Sequence, residues 1–316
     1  MIVADKISKY YGSFAAISEL SFSIGRNEVI GLLGLNGAGK TTTLRILSGL
    51  LVPSSGSIQV DGIDMATDPE LVRSRIGFLP ETPPLYPDMT VEGYLKFVAR
   101  INGCHGDLDD AITAAIEAVE IADRRSARIG TLSHGYQRRV GIAHAIVHDP
   151  ALILLDEPTS GLDPVQIVQM RERIRALKQR HTVIVSSHIL SEMHQMCDRI
   201  FVLHEGKVVA EGTEDELAAG LSGATTIDLE VRASRSQLQS ALANVVGVTS
   251  HEVTREVEGI LEVVVQLDSD NREALAEALV GAGVALRRLD HSNLGLESIF
   301  LQLTGGNGSP RRTSHG

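Results

Sequence analysis

The stretch "VIGLLGLNGAGKTTTLRILSGL", residues 29–50, decides the fold. Its first part, Val29 to Gly34, is a short run of aliphatic and β-branched residues, the composition of a buried strand. "LNGAGK" follows, and then "TTTLRILSGL" places apolar residues at helical spacing and stops at Gly49, with Pro53 just beyond. Strand, glycine loop and helix are the context that a GxxxxGK[ST] match requires. Gly34, Gly37 and Gly39 let the chain curl so that successive N–H groups face a phosphate. Lys40 reaches the terminal phosphates as a point charge, and Thr41 offers its hydroxyl to Mg²⁺. The whole loop, including Leu35, Asn36, Ala38 and Thr42, is therefore assigned to a nucleoside triphosphate.

Two further apolar runs end in chemistry. "ALILL" at 151–155 leads into Asp156, Glu157 and Pro158, and "TVIVSS" at 182–187 delivers His188. Ligands of open α/β sheets sit at the carboxyl ends of strands, so these groups are expected at the crevice that holds Lys40. Asp156 suits Mg²⁺, usually through a water. Glu157 can take a proton from the water that attacks the γ-phosphate, or orient it. His188 could bond the γ-phosphate and hold that water in line. His148, His181 and His204 have no such placement and read as solvated or cap-like. Upstream, "TLSHGYQRRVGIAHAI" at 131–146 opens a helix free of acidic residues, an N-terminus that favours an anion. Arg138 and Arg139 read as salt-bridge residues on the flank of that helix.

Composition sets the outer limits. At 316 residues about two domains are expected, and 43% hydrophobic with 22% charged residues is the balance of a soluble globular protein. A formal net charge of −11 argues against a nonspecific nucleic-acid surface, so no nucleic acid is expected as partner. No apolar run approaches the length of a membrane span and no signal-like segment precedes Met1 to Gly12, so the chain is expected in the cytosol. Cys104 and Cys197 lack metal or redox spacing and read as reduced thiols.

Read in order, "YYG", "GLNGAGKTT", "LPE", "LSHGYQRR", "LILLDEP", "SGLD" and "SSH" resemble the nucleotide-binding subunit of an ABC transporter over residues 1 to about 215. The resemblance implies an α/β P-loop cassette: a RecA-like core, an antiparallel β subdomain and an α-helical subdomain at about 85–150, within an ATP-binding domain spanning 1–220. It implies that Tyr11 stacks on adenine, although Tyr10 is adjacent. It implies a head-to-tail homodimer in which Ser133 and the N–H of Gly135 meet the γ-phosphate of the partner's ATP, with Asp163 at the same interface; the anion favoured by the 131–146 helix would be that phosphate. His134 and Tyr136 depart from the commoner Gly and Gln. Glu81 stands where most of the family has glutamine; it could ligate Mg²⁺ or hold water, at the cost of a negative charge near the phosphates. The "LPE" form and the ending "LGLESIFLQLT" are similar to single-domain bacterial exporter cassettes. They imply an ATP- and Mg²⁺-dependent ATPase on the cytoplasmic face of the bacterial membrane, with Leu85 and Tyr86 receiving a helix of a polytopic permease. An importer ATPase and a non-transport ABC ATPase remain the alternatives.

Beyond residue 220 no catalytic constellation appears. Strands at 225–233, within 248–267 around Gly259, and at 284–289 alternate with helices at 236–245 and 272–281, a β-α-β-β-α-β order that suggests a ferredoxin-like domain over 221–303. It reads as regulatory or dimer-bracing, or as a passive extension. A short helix at 295–303 and a disordered tail at 304–316 complete the expectation.

Overall fold

Five consecutive residues with no polar side chain, Val29 to Leu33, need cover on both faces, and a parallel sheet flanked by helices provides it. A computed structural model describes residues 2–104, 106–213, 216–217, 225–243, 245–257 and 259–291. It divides the chain into two compact units, one ending at Gly212 and the other beginning at Thr213. In the first unit, β1 (Ile2–Tyr11), β2 (Phe14–Ile24) and β3 (Val29–Leu33) precede α1 (Lys40–Leu47). Strands β4 (Ser55–Val60) and β5 (Ile63–Asp64), helix α2 (Pro69–Arg73) and strand β6 (Ile76–Leu79) follow. Helices α3 (Val91–Ile101), α4 (Leu108–Ala118) and α5 (His134–Ile146) then lead to β7 (Leu152–Asp156) and α6 (Pro164–Leu177). The unit closes with β8 (Thr182–Ser187), α7 (Leu190–Met196) and the hairpin of β9 (Arg199–His204) with β10 (Lys207–Gly212).

These strands form two sheets. The larger runs β10-β9-β3-β8-β7-β6, parallel except for β10, and the smaller runs β2-β1-β4-β5 and is antiparallel. One apolar cluster joins them: Ile7, Ile17 and Ile24 of the smaller sheet pack with Leu32, Leu154, Ile184 and Phe201 of the larger and with Leu44 and Leu47 of α1. Register places Leu33 beside Ser187 and Asp156 beside Ser186, so the residues after β3, β7 and β8 emerge side by side at one edge.

The second unit has β11 (Thr225–Arg232), α8 (Arg235–Leu242), β12 (Val248–Val257), β13 (Ile260–Leu267), α9 (Arg272–Gly281) and β14 (Ala285–His291). Its sheet runs β12-β13-β11-β14, with every neighbouring pair antiparallel. Alternation sorts β11: Ile227, Leu229 and Val231 are buried while Asp228 and Glu230 take the other face. Leu238 and Leu242 of α8 and Leu275 and Leu279 of α9 complete that core. Ser234 and Gln237 close a capping box at the start of α8. The helix expected at 295–303 and the tail at 304–316 lie outside the described residues.

Four side-chain expectations need correction. His181 is buried with Nδ1 2.7 Å from the Pro150 carbonyl, and His148 places Nε2 3.2 Å from the Ile76 carbonyl. Burial holds the His148 imidazole below its ordinary pKa. Both precede strands of the core, so the chain carries them inward. Among the described residues Arg138 and Arg139 form no salt bridges: Arg138 is buried and donates from Nη1 to the Glu81 carbonyl, while Arg139 donates to Gln169 Oε1 at 2.7 Å. Helix α5 buries residues on several faces, so there is no solvated flank at Arg138.

Candidate functional site

The turn after β3 is shaped by glycine at three points. A Cβ on Gly34 would stand 2.7 Å from the Leu203 carbonyl and 2.9 Å from Ala38 Cβ. Gly39, at φ +106°, would place one 2.8 Å from the Ala16 carbonyl, and Gly37 holds φ +85° with open space around it. Helix α1 then starts without a side-chain cap or an acid in its first turn, leaving its N-terminal dipole for a ligand. Lys40 folds back over the loop, with Nζ donating to the carbonyls of Gly34 at 2.7 Å and Leu35 at 3.4 Å.

Glu157 faces that ammonium. Its Oε1 is 3.4 Å from Lys40 Nζ, and His188 Nδ1 lies 3.2 Å and 3.1 Å from its two oxygens. Glu157 has φ +49°, a left-handed conformation that costs an L residue on the order of 1–3 kcal/mol. Ser186 helps hold it there. Its hydroxyl accepts from the Glu157 N–H at 2.9 Å and donates to Asp156 Oδ1 at 2.6 Å. Asp156 itself is 1% exposed and sits beneath the surface, with Oδ2 lacking a hydrogen-bond partner among the described residues.

A cavity of about 350 Å³ opens over these groups. It is lined by Leu35, Asn36, Gly37, Gly39, Lys40, Thr41 and Thr42 of the loop, with Glu81, Glu157, Ser160 and His188. Gly34, Ala38 and Asp156 lie outside its lining, Ala38 and Asp156 being buried. Its aromatic wall is Tyr11 with Phe14, which pair across the β1–β2 turn. Lys9 Nζ stands 5.6 Å from the Tyr11 ring centroid, whereas Tyr10 is not in the cavity and donates its N–H to Ser54. Phe14, Ser160 and Ser186 were missed in the sequence. The spacing of "YYGSF" around a glycine turn was the available signal for Phe14.

Ser133, Gly135 and Asp163 lie outside the cavity. Ser133 and Asp163 are the N-caps of α5 and α6, accepting from the N–H groups of Tyr136 at 3.5 Å and Gln166 at 2.9 Å. The two helix starts adjoin: the side chain of Gln166 faces Gly135, and the His134 ring faces Gly161. A Cβ on Gly135 would meet Gln166 Oε1 at 2.4 Å, the movable end of a flexible side chain. Tyr136 lies between two guanidinium groups, Arg124 and Arg139, each 5.3 Å from its ring centroid.

The sequence profile of the ABC transporter family matches residues 17–160. The linearmycin resistance ATP-binding protein of Bacillus subtilis (strain 168) is 34% identical over 96% of this chain and 98% of its own length. The Nod factor export ATP-binding protein I of Burkholderia orbicola (strain AU 1054) is 35% identical over 95% of each chain. The dimeric structure of a bacterial ABC transporter cassette superimposes with a TM-score of 0.61 at 26% identity, covering 67% of this chain and 98% of that one. With a phosphate-binding loop, a carboxylate at its lysine and full-length relatives of this kind, the chain belongs to the ATP-binding subunits of ABC transporters.

Proposed function

We propose that this subunit powers a bacterial exporter, hydrolysing ATP between two head-to-tail copies of itself at the cytoplasmic face of the membrane. The observation that carries the chemistry is Glu157, which lies within 3.4 Å of Lys40 Nζ and 3.1 Å of His188 Nδ1 over one cavity. Lys40, held over the loop at the Gly34 and Leu35 carbonyls, offers its ammonium to the β- and γ-phosphates. Glu157 accepts the proton of the attacking water at a carboxylate oxygen, and His188 holds the water and γ-phosphate in line. Tyr11 supplies a stacking face for adenine. The buried Oδ2 of Asp156, unpartnered among the described residues, is the kind of oxygen that a hard cation satisfies. Together with the Thr41 hydroxyl and Glu81 it would hold Mg²⁺, which would offset charge on the transferring phosphoryl group.

Gly135 supports the two-copy reading. Inside the chain a methyl there would displace only the end of Gln166, so the fold makes little demand for glycine, while a phosphate of a second copy would. Ser133 and Asp163 stand at the same place. Binding of two shared nucleotides favours the closed pair, and loss of γ-phosphate removes the contacts to Ser133. Export is favoured by a full-length relative named for export. The permease contact is assigned to Leu85, Tyr86 and the neighbouring face of α3. There Tyr86, Phe97 and Ile101 are exposed, and the Tyr86 ring lies 5.8–5.9 Å from Phe97 and Tyr94. The second unit reads as a ferredoxin-like regulatory or dimer-bracing domain on its strand order.

The test is Glu157→Gln. It should bind ATP as the native protein does, lose phosphate release by about 10²–10⁴-fold, and sediment as a dimer when ATP is present. Turnover at the native rate would overturn the role given to Glu157.

A further inference from the structure

We propose that Arg138 is a positioning residue for the ATPase reaction: it tethers the Glu81 loop to helix α5 and serves as the counter-charge that makes a carboxylate at position 81 compatible with a bound triphosphate. The inference rests on the assignment of the cavity to ATP.

Arg138 is 3% exposed, and its Nη1 donates to the main-chain carbonyl of Glu81 across 57 residues of sequence. Its Nε is buried without a hydrogen-bond partner among the described residues. A guanidinium held so deeply on a single carbonyl is poorly compensated by hydrogen bonds, so its charge must be balanced at longer range. Burial works against the charged form; the carboxylates that favour it are Glu81 first, then Asp156 and Glu157. Of these, Glu81 and Glu157 line the cavity and Asp156 is buried next to Glu157. Against their negative charges the described lining of the cavity offers one fixed cation, Lys40. Arg138 supplies the second from below, without occupying space that a phosphate needs.

Its place on α5 gives the contact a second consequence. Arg138 is five residues after Ser133, in the helix whose N-terminus is assigned to the partner's nucleotide. One side chain thereby ties the segment carrying Glu81, facing this copy's cavity, to the helix facing the other copy's. A shift of α5 on closure would be felt at the Glu81 main chain. Lysine could supply the charge but not the planar fork that reaches a carbonyl from Nη1.

The experiment uses full-length protein with Arg138→Gln, Glu81→Gln and both together. Two readouts are taken: the affinity for ATP in EDTA by calorimetry, and kcat and KM with MgATP. Arg138→Gln should weaken ATP binding in EDTA by about tenfold and raise KM more than it lowers kcat, because Glu81 then faces the triphosphate uncompensated. In the Glu81→Gln background the same substitution should cost less than about threefold in affinity, the coupling expected of two interacting charges. Equal losses in both backgrounds would overturn the counter-charge role and leave Arg138 as packing alone. If Arg138→Gln does not fold, Arg138→Lys replaces it. It should keep ATP affinity within about threefold of native, since the charge stays. A larger loss, insensitive to Glu81→Gln, overturns the proposal. Failure of the native protein to bind ATP in the same assay would instead overturn the assignment of the cavity, which keeps the two failures apart.

Discussion

In the first unit Lys40, Arg138, Asp156, Arg173 and Glu192 are all buried, whereas every side chain buried to that degree among the described residues of the second unit is apolar. Among the described residues of the second unit, ion pairs lie at the surface, with Glu230 of the Arg287 pair half-buried. Arg235 with Glu256 at 2.7 Å and Arg255 with Glu262 at 3.5 Å are exposed, and pairs of that kind contribute about 0–1 kcal/mol. Removing a charge from water costs several kcal/mol, so a fold that need only cohere has no reason to do it. The first unit accepts that cost at the cavity, where Lys40 lines the wall and Asp156 lies beneath it, and also away from it, where Arg173 pairs with Glu120 and Glu192 accepts from Thr159. Among the described residues, charged side chains that are buried as a whole are thus confined to the first unit.

Substitutions in either unit test this division. The largest effect is expected at Asp156→Asn, which keeps the shape and the Ser186 contact but removes a buried charge with a free oxygen. Phosphate release should fall by on the order of 10³-fold while thermal stability stays level or rises. Near-native turnover would mean that this buried carboxylate serves the fold alone. Leu229→Ala probes the other half. Cutting a fully buried side chain of the β11 core should cost about 2–4 kcal/mol, seen as faster amide exchange across 225–291, with phosphate release in the cold unchanged. Equal loss of turnover would show that the two units do not divide their tasks in this way.

A smaller effect comes from His144 on α5, whose Nδ1 lies 2.7 Å from the Tyr94 hydroxyl. Burial pushes its pKa down to about 4, with His148 adding to the shift. The unfolded chain takes up a proton near pH 6.5 and the folded one only near 4, so this stability is present above 6.5 and is lost as pH falls towards 4. Between pH 7 and pH 5 the native protein should lose about 2 kcal/mol more than His144→Gln in denaturant unfolding. Parallel pH profiles would remove His144 from the account.

Much of this division was legible in the residues. Glycines at 34, 37 and 39 between an apolar run and a helical pattern leave few alternatives, and Asp156 and Glu157 announce themselves at the end of β7. The second unit was legible through alternation alone, as in β11, where every second residue enters the core. The missed features share a cause. Ser186 looks like any small residue at a strand end, and its two bonds exist only because β7 and β8 are neighbours. Arg138 reads as a flank salt-bridge residue and His181 as solvated or cap-like because charge and sequence position say nothing of how many faces of an element are covered. Helix α5 is covered on several, and only the packed structure shows it.

If two copies complete each other's ATP site, two inactive variants should restore turnover when they are mixed. Lys40→Ala removes the phosphate lysine, and Ser133→Arg blocks the start of α5 that would meet the partner's ATP. Each homodimer should be inactive. A mixture forms heterodimers with one intact composite site and one doubly broken, so phosphate release should return to a substantial fraction of native. Full activity of Ser133→Arg on its own would contradict the account, because the helix start would then meet no nucleotide.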